Sequence, residues 1–196
     1  MTGLRERKKE ETRRRIADVA LRLFTERDFG AVTMTEVADA ADVSRATLFS
    51  YFPTKESLVL QGIGAEDLAA VVTARPAGQT PLAALRAYYL GVAGTAADEL
   101  DRDAIVARIG VVVASPALSA AATTLLYQQR ERLADALTGE YGERVAPVVA
   151  AEVAAVVQTV QETFFRRLAA GEDAGATLAD DVTLAFDLVE HGVAGR

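Results

Sequence analysis

Cysteine and tryptophan are absent from the 196 residues, and histidine occurs once. Without cysteine there is no disulfide framework, no thiolate nucleophile and no cysteine metal site, and a single histidine excludes a histidine cluster. No apolar run approaches the roughly 20 uncharged residues of a bilayer-spanning helix, and the chain opens with charges rather than an apolar signal segment. These absences predict a soluble cytoplasmic protein that needs no cofactor or metal and has no membrane partner.

The charge of the chain is unevenly distributed. Residues 1–55 have eleven Lys/Arg against nine Asp/Glu, a balance of +2, whereas residues 56–196 have a balance of −9. A basic N-terminal region followed by an acidic remainder is consistent with an N-terminal module that binds phosphate groups, which the rest of the chain would repel. A solubilising tail explains the same pattern equally well.

Hydrophobic residues make up 51% of the chain and recur at helical spacings, so we expect an all-α fold of about nine helices. A first helix is predicted over 10–28 and ended by Gly30. In "TMTE", Thr33 and Glu36 form a capping box before a short second helix, about 34–40.

The next stretch, "ADVSRATLFSYFPTKESL", predicts a tight turn and two further helices. Asp42 stands at the turn, where aspartate tolerates a left-handed backbone. Ser44 caps a third helix, about 45–51, which Pro53 closes, and Thr54 caps a fourth. A short helix, a tight turn and a second short helix with a polar outer face is the layout of a helix-turn-helix.

The third helix divides into an inner and an outer face. Leu48, Phe49 and Phe52 are predicted to support the small helical unit. Small and basic residues remain outside, as entry into a DNA major groove requires. The predicted DNA-binding residues are Thr33, Ser44, Arg45, Ala46, Thr47, Ser50, Tyr51 and Lys55.

Two roles are expected within that set. Arg45 and Thr47 are predicted to read base edges, whereas Tyr51 and Lys55 are predicted to contact backbone phosphate. Any one of these residues is explained as well by an ordinary cap or turn, because caps are common.

Further helices are predicted to begin near Pro81, Pro116 and Pro147, because proline is favoured at the first helical position. Two apolar stripes follow, in 147–169 and in 177–193. Their members are Val149, Val153, Val156, Val160 and Phe164 in the first stripe, and Val182, Phe186, Val189 and Val193 in the second.

The ends of these stripes have sequence signals of their own. Gly171 is predicted to end the first stripe's helix, and Thr177 with Asp180 forms a second capping-box pattern. Both stripes suit helix packing, either between two subunits or within one.

Residues 10–62 resemble the TetR family of transcriptional regulators, through "TMTEVA", "ADVSRATLFSYF" and "TKESL". The resemblance implies a DNA-binding domain over 10–70, with its helix-turn-helix at about 33–52, and a helical ligand-binding and dimerisation domain over 71–196. Three residues depart from the family pattern: Asp42 and Ala46 replace common glycines, and Phe49 replaces a common tyrosine.

The family resemblance also implies partners. Family members are dimers whose last two long helices form a four-helix interface, which assigns Val149, Val153, Val156, Val160, Phe164, Val182, Phe186 and Val189 to that interface. They bind an operator in double-stranded DNA, and a small molecule among the middle helices changes the spacing of the recognition helices. A hydrophobic or acyl effector is the expectation here.

Candidate effector-binding residues are Arg108, Tyr88, Tyr89 and Tyr127. Arg108 is the only charge in "AIVARIGVVVA", so it needs either an anionic ligand or a neighbouring acid such as Asp101 or Asp103. Tyrosines at helical spacing are more often core residues than pocket residues.

His191 lies near two acids, Asp187 and Glu190. A histidine at a helix C-terminus beside the negative end of the helix dipole is the preferred interpretation over a metal ligand. The sequence shows no Glu-x-x-His pairs on helices and no glycine-rich phosphate loop, so an enzyme is not expected. The alternative to a ligand-responsive regulator, most often a repressor in this family, is an all-helical enzyme or carrier with a vestigial helix-turn-helix.

Overall fold

The fold is entirely helical. A computed structural model describes residues 3–99 and 101–192, and within those ranges the chain forms ten α-helices and no strand, which confirms the predicted fold class. The helices are α1 Leu4–Ala31, α2 Met34–Ala40, α3 Arg45–Tyr51, α4 Ser57–Leu60, α5 Leu68–Thr73, α6 Pro81–Glu99, α7 Arg102–Ala114, α8 Pro116–Tyr141, α9 Ala146–Ala170 and α10 Leu178–His191.

The helices group into two compact units. The first contains the chain up to Ile63 together with Arg102–Thr124, and the second contains Gly64–Asp101 and the chain from Leu125 onward. This division differs from the predicted boundary at residue 70, because the first unit ends earlier and takes in α7 and the start of α8.

In the first unit, α1 packs against α2, α4 and α7. Its helical path breaks at Arg27 and Asp28, where Asp28 has a φ of 57°. The prediction that Gly30 ends this helix is therefore wrong. The break turns Phe29 into the core, where its ring lies 5.0 Å from that of Phe24.

Helices α2 and α3 have the predicted bounds, 34–40 and 45–51. Val37 and Ala38 of α2 are buried against the rest of the unit, as are Leu48 of α3 and Phe52 just after it. The spacing of these four residues is what holds the helix-turn-helix together, because each helix buries one face against its neighbours.

Helix α4 is shorter than the sequence suggested, with four residues. The chain leaves it through Gly62 and Gly64, both with positive φ. A short helix that the sequence analysis did not predict, α5, follows, and the Asp67 carboxylate caps it by accepting from Ala70 N at 2.9 Å.

In the second unit, the loop that contains Gly64 and Glu66 packs closely against α8 and is hydrogen-bonded to it. A Cβ added to Gly64 would lie 2.9 Å from the backbone oxygen of Leu125. The Arg132 guanidinium donates to the Gly64 carbonyl at 3.1 Å. The Gln129 amide donates to the carbonyl and to the carboxylate of Glu66, each at 3.0 Å.

Helix α10 packs on α9 and α6 in the same unit. Prolines open α6, α8 and α9, and Gly171 ends α9 with a φ of 82°, as predicted. The capping box predicted for Thr177 and Asp180 is wrong, because Thr177 makes no side-chain cap bond to the helix backbone. Its hydroxyl instead binds the Arg167 guanidinium, which also pairs with Asp181 at 2.6 Å.

Part of each apolar stripe packs within the single chain, and not against a partner subunit as the sequence had predicted. Val153, Phe164, Val182 and Phe186 are buried within the single chain, so their assignment to a subunit interface is wrong. They pack α9 and α10 into the core of their own unit. Val149, Val156, Val160 and Val189 are half-buried, and the last member of the stripe, Val193, lies outside the described residues.

Among the described residues, α9 alone is long and apolar enough to cross a bilayer by length and composition, and the bent pair of α7 and α8 passes the same test jointly. Only 22% of the most apolar stretch of α9 is buried. A helix of this kind leaves apolar surface uncovered in the isolated chain, including Val148, which is 56% exposed.

Candidate DNA-binding surface

The start of α2 is held by a complete capping box. The Glu36 amide donates to the Thr33 hydroxyl at 3.2 Å, while the Thr33 amide and hydroxyl each donate to the Glu36 carboxylate at 2.8 Å. The Arg27 guanidinium completes the group at 2.7 Å. The hydrogen bonds from Thr33, helped by Arg27, lower the pKa of Glu36 from 4.5 to about 2.

This capping box changes the expectation for Thr33. Its hydroxyl and amide both donate to the Glu36 carboxylate. The side chain therefore acts as a structural cap that fixes the direction of α2.

The turn between α2 and α3 is built on Asp42, whose φ of 50° confirms the left-handed backbone expected there. The Asp42 amide donates to Asp39 O at 3.2 Å, and the Val43 amide donates to Ala38 O at 3.0 Å. These bonds satisfy the last carbonyls of α2 and send the chain directly into α3.

Hydroxyl groups fix the start of α3. Ser44 Oγ accepts from the Thr47 amide at 3.0 Å, as predicted for the N-cap, and it lies 2.8 Å from Thr47 Oγ1. The Ser50 hydroxyl donates to Thr47 O at 2.7 Å. Arg45 and Ala46 are exposed beside them, and Arg45 pairs with no carboxylate among the described residues.

Phe49 does not support the core as predicted, because its side chain is 41% exposed. Position 49 lies next to buried Leu48 and is rotated by about 100° from it around the helix, onto the outer face of α3. Tyr51 is half-buried at the end of α3. The outer face thus carries an aromatic ring together with Arg45, Ala46 and Ser50.

The Lys55 ammonium is bonded within the chain, which does not favour the predicted phosphate contact. Its ammonium donates to the carbonyl of Phe29 and lies 4.3 Å from the Phe29 ring centre and 5.7 Å from that of Phe24. Burial lowers the pKa of Lys55, against the opposing effect of Glu56 and Glu36. The side chain thereby joins the start of α4 to the broken end of α1.

Two arginines of α1 contact the helix-turn-helix, which sequence reasoning missed. The Arg15 guanidinium donates to the carbonyl of Ala41, in the turn, at 2.8 Å. The Arg13 guanidinium lies 5.0 Å from the ring centre of Phe52, just after α3. Their signal in the sequence is weak, because consecutive arginines on an amphipathic helix usually indicate a solvated face.

The candidate effector residues fall in different parts of the chain. Arg108 is half-buried on α7 in the first unit and forms no ion pair with a carboxylate whose side chain the structure describes. Tyr88 and Tyr89 of α6 stack edge to face at 5.1 Å, and Tyr89 also lies 6.0 Å from Phe186. Burial raises the pKa of the half-buried Tyr89.

Tyr127 differs from the other two tyrosines. It is 53% exposed on α8, and the Arg130 guanidinium lies 4.5 Å from its ring centre. A ring in this position is a surface contact rather than part of a core.

Asp187, Glu190 and His191 bring one ligand atom each within 4.8 Å of one another at the end of α10. The Arg86 guanidinium lies 2.9 Å from Asp187 and 3.6 Å from Glu190. Because Arg86 already supplies the positive charge that these carboxylates need, the cluster is explained as an ion-pair network.

The arrangement of α2, its turn and α3 defines a helix-turn-helix protein, and comparison with known proteins gives the same class. Residues 16–61 match the family model described as bacterial regulatory proteins, tetR family. The transcriptional regulator TcmR of Streptomyces glaucescens is 37% identical over 98 residues, which cover 49% of this chain and 43% of TcmR. The transcriptional repressor KstR of Mycobacterium tuberculosis is 41% identical over 56 residues, which cover 29% of this chain and 26% of KstR.

These curated relatives are matched over less than half of their own length, whereas a structural relative is matched almost throughout. FadR of Thermus thermophilus, a TetR family transcriptional repressor solved in complex with lauroyl-CoA, is 26% identical with a TM-score of 0.53. The match covers 92% of this chain and 94% of FadR. The chain is therefore similar to TetR family regulators over residues 16–61, and to FadR over most of its length.

Proposed function

We propose that this protein is a DNA-binding transcriptional regulator that inserts α3 into the major groove of its operator. The observation that carries the proposal is the outer face of α3, where exposed Arg45, Ala46 and Ser50 project from a helix whose other face is buried. Small side chains allow close approach to base edges, and a guanidinium without an ion-pair partner can donate to guanine.

Within this proposal, the residues of α3 have different roles. Arg45 donates to a base edge. Thr47, whose hydroxyl is held by Ser44 at 2.8 Å, offers its methyl group to a thymine methyl. Tyr51 contacts the phosphate backbone from the end of the helix, which positions the protein without reading sequence.

The proposed active form is a homodimer on a near-palindromic operator. Its recognition helices are about 34 Å or somewhat more apart, so that they meet successive major grooves. The proposed interface is the apolar surface of α9 and α10 that the chain leaves partly or largely exposed. It contains the half-buried Val149, Val156, Val160 and Val189, with Val148 and Leu184, which are 56% and 40% exposed.

The proposed effector is an acyl compound, and the regulator acts as a repressor that the effector releases from DNA. Support comes from FadR, which was solved with lauroyl-CoA, and from Arg108, a half-buried cation that forms no ion pair with a carboxylate whose side chain the structure describes. Linkage requires DNA to weaken effector binding by the same factor by which the effector weakens DNA binding.

The DNA-binding proposal is tested by selecting duplexes from a randomised pool with the wild-type chain. We expect enrichment of a near-palindrome, and we expect Arg45→Ala to lose about 1 to 3 kcal/mol of preference at one base pair in each half-site. Arg144→Ala is the matched control, because it removes the same charge from an exposed position in the second unit. Failure to enrich any sequence contradicts the proposal.

The dimer is tested by sedimentation of two variants that each put a charge on exposed apolar surface. Leu184→Glu lies in the proposed interface and is expected to give monomers at micromolar concentration. Val113→Glu is the control, because Val113 is 74% exposed on α7, outside that surface. If both variants remain dimeric, the interface lies elsewhere; a monomeric wild-type chain contradicts the dimer itself.

The effector proposal is tested with lauroyl-CoA as the probe. We expect it to lower the affinity of the wild-type chain for the selected duplex, and Arg108→Met to remain folded and bind DNA while losing that response. A folded Arg108→Met variant that responds fully to lauroyl-CoA shows that Arg108 is not the anion contact.

A further inference from the structure

The start of α1 forms an exposed, basic stretch that the helix-turn-helix does not account for. Residues 6–15, named here the basic arm, contain six Lys/Arg and three Glu, although the whole chain has a net charge of −7. From residue 6 onward, the first buried side chain of α1 is Ile16. The basic arm therefore lies before the part of the helix that enters the core.

The basic arm contains no hydrophobic residue among its ten positions, "ERKKEETRRR". Insertion into a membrane interface requires an apolar face on the helix, and this stretch has none. A partner that binds it has to be recognised through charge, which favours a polyanion in water.

Two contacts place the end of the basic arm beside the helix-turn-helix. Arg15 donates to Ala41 O in the turn at 2.8 Å, and Arg13 lies 5.0 Å from the ring centre of Phe52 after α3. The side of α1 between the directions of Arg13 and Arg15 thus faces the helix-turn-helix.

Helical geometry shows which other cations share that side. Lys8 precedes Arg15 by two turns, and Lys9 precedes Arg13 by about one turn. Both lysines are exposed and pair with no carboxylate among the described residues.

Among the remaining charges of the basic arm, Glu6 lies about 20° from the direction of Arg13, at the edge of this side, and the others point elsewhere. Glu10 and Glu11 are rotated by about 120° or more from the side that faces the helix-turn-helix, at about 100° per residue. Arg7 and Arg14 lie on the opposite side of the helix, and both are exposed.

We propose that the basic arm is a second DNA-contacting element, in which Lys8 and Lys9 bind backbone phosphates next to the segment of duplex that α3 occupies. This inference rests on the proposed function. Phosphate contacts of this kind add affinity on every sequence alike and make binding depend more steeply on salt.

The test compares two double variants that remove the same charge from opposite sides of one helix. Affinity for the duplex selected by the wild-type chain, and for a scrambled duplex, is measured by fluorescence anisotropy over a series of salt concentrations. For Lys8→Gln with Lys9→Gln, we expect the slope of log affinity against log salt to fall by about 0.9 for each phosphate that the variant no longer binds. The fall should be equal on both duplexes, so that the preference between them is unchanged.

Arg7→Gln with Arg14→Gln is the matched control, and its slope should stay close to that of the wild type. Lys8→Arg with Lys9→Arg, which keeps the charge, should restore the wild-type slope. All four substituted positions are exposed, and circular dichroism checks that each variant keeps the helical content and melting temperature of the wild type.

Two results overturn the inference while leaving the proposed function intact. One is an unchanged slope for the lysine variant, and the other is an equal fall for the lysine and arginine variants, which indicates a general charge effect rather than contacts on one side. A wild-type chain that shows no preference between the two duplexes overturns the proposed function, and the inference with it.

Discussion

Replacement of Gly64 by alanine is expected to destabilise the second unit. The same replacement at Gly62, two residues earlier, is the control. Gly64 has a φ of +63°, and its added Cβ would lie 2.9 Å from the backbone oxygen and 3.0 Å from the backbone carbon of Leu125. Gly62 has a φ of +90° and nothing within 4 Å of the corresponding position. Both variants therefore force alanine into a positive φ, but only the methyl group of Gly64→Ala would contact another segment of the chain.

The magnitude follows from these two effects. A left-handed backbone costs an alanine about 1–2 kcal/mol, and the lower entropy of the unfolded chain offsets about 0.4–1 kcal/mol of that. At Gly64 the methyl group also has to displace backbone atoms, and overpacking of this kind costs about 1–3 kcal/mol more. We expect Gly64→Ala to lose about 2 kcal/mol more free energy of unfolding than Gly62→Ala.

Urea unfolding of the two variants and the wild-type chain measures this difference. The midpoint should fall further for Gly64→Ala, and the slope of free energy against urea should stay unchanged if the native loop shifts only locally. Equal losses for the two variants would refute the reasoning, because the close approach of the loop to α8 would then have no energetic effect.

Four further outcomes are expected. Asp42→Gly should raise the melting temperature and Asp42→Ala should lower it, because the φ of 50° is free of strain only for glycine. In acid titrations followed by circular dichroism, the stabilisation from Glu36 should be complete above pH 4.5 and lost as the pH falls through about 2, and Glu36→Gln should lack that transition. Lys55→Gln should lower the melting temperature without changing the salt dependence of DNA binding; the reverse result would restore Lys55 as a phosphate contact. Arg45→Ala should change base preference at one position of each half-site in a competition assay, and a uniform loss on all sequences would contradict base reading.

Features that depend on residues close together in sequence could be predicted. The Thr33–Glu36 capping box, the Ser44 cap and the left-handed turn at Asp42 each follow from side chains within three residues of the backbone groups that they satisfy. These local signals gave the bounds of α2 and α3, and with them most of the candidate surface.

Features that depend on distant residues could not be predicted. Lys55 binds the carbonyl of Phe29 and Arg15 binds that of Ala41, and both pairs are separated by 26 positions in the chain. Nothing in the spacing of residues indicates which backbone carbonyl a long cationic side chain will reach.

The apolar stripes of α9 and α10 show the same limit. Their periodicity indicates that one face of each helix is buried, but it does not distinguish a neighbouring helix of the same chain from that of a partner. Val153 and Phe186 were assigned to a subunit interface for this reason, whereas the structure buries both within the single chain.

The lack of any apolar side chain in residues 6–15 has a consequence for how that stretch behaves in time. A helix of about ten residues is marginal in water without tertiary contacts, so its amide hydrogens should exchange with solvent far faster than those around Ile16 and Phe24, which are buried. Any polyanion that binds this stretch also has to hold it helical. Part of the binding free energy from the ionic contacts is then offset by the entropy lost when the backbone becomes helical. The net binding free energy should therefore become less favourable as temperature rises, because the entropic cost grows with temperature.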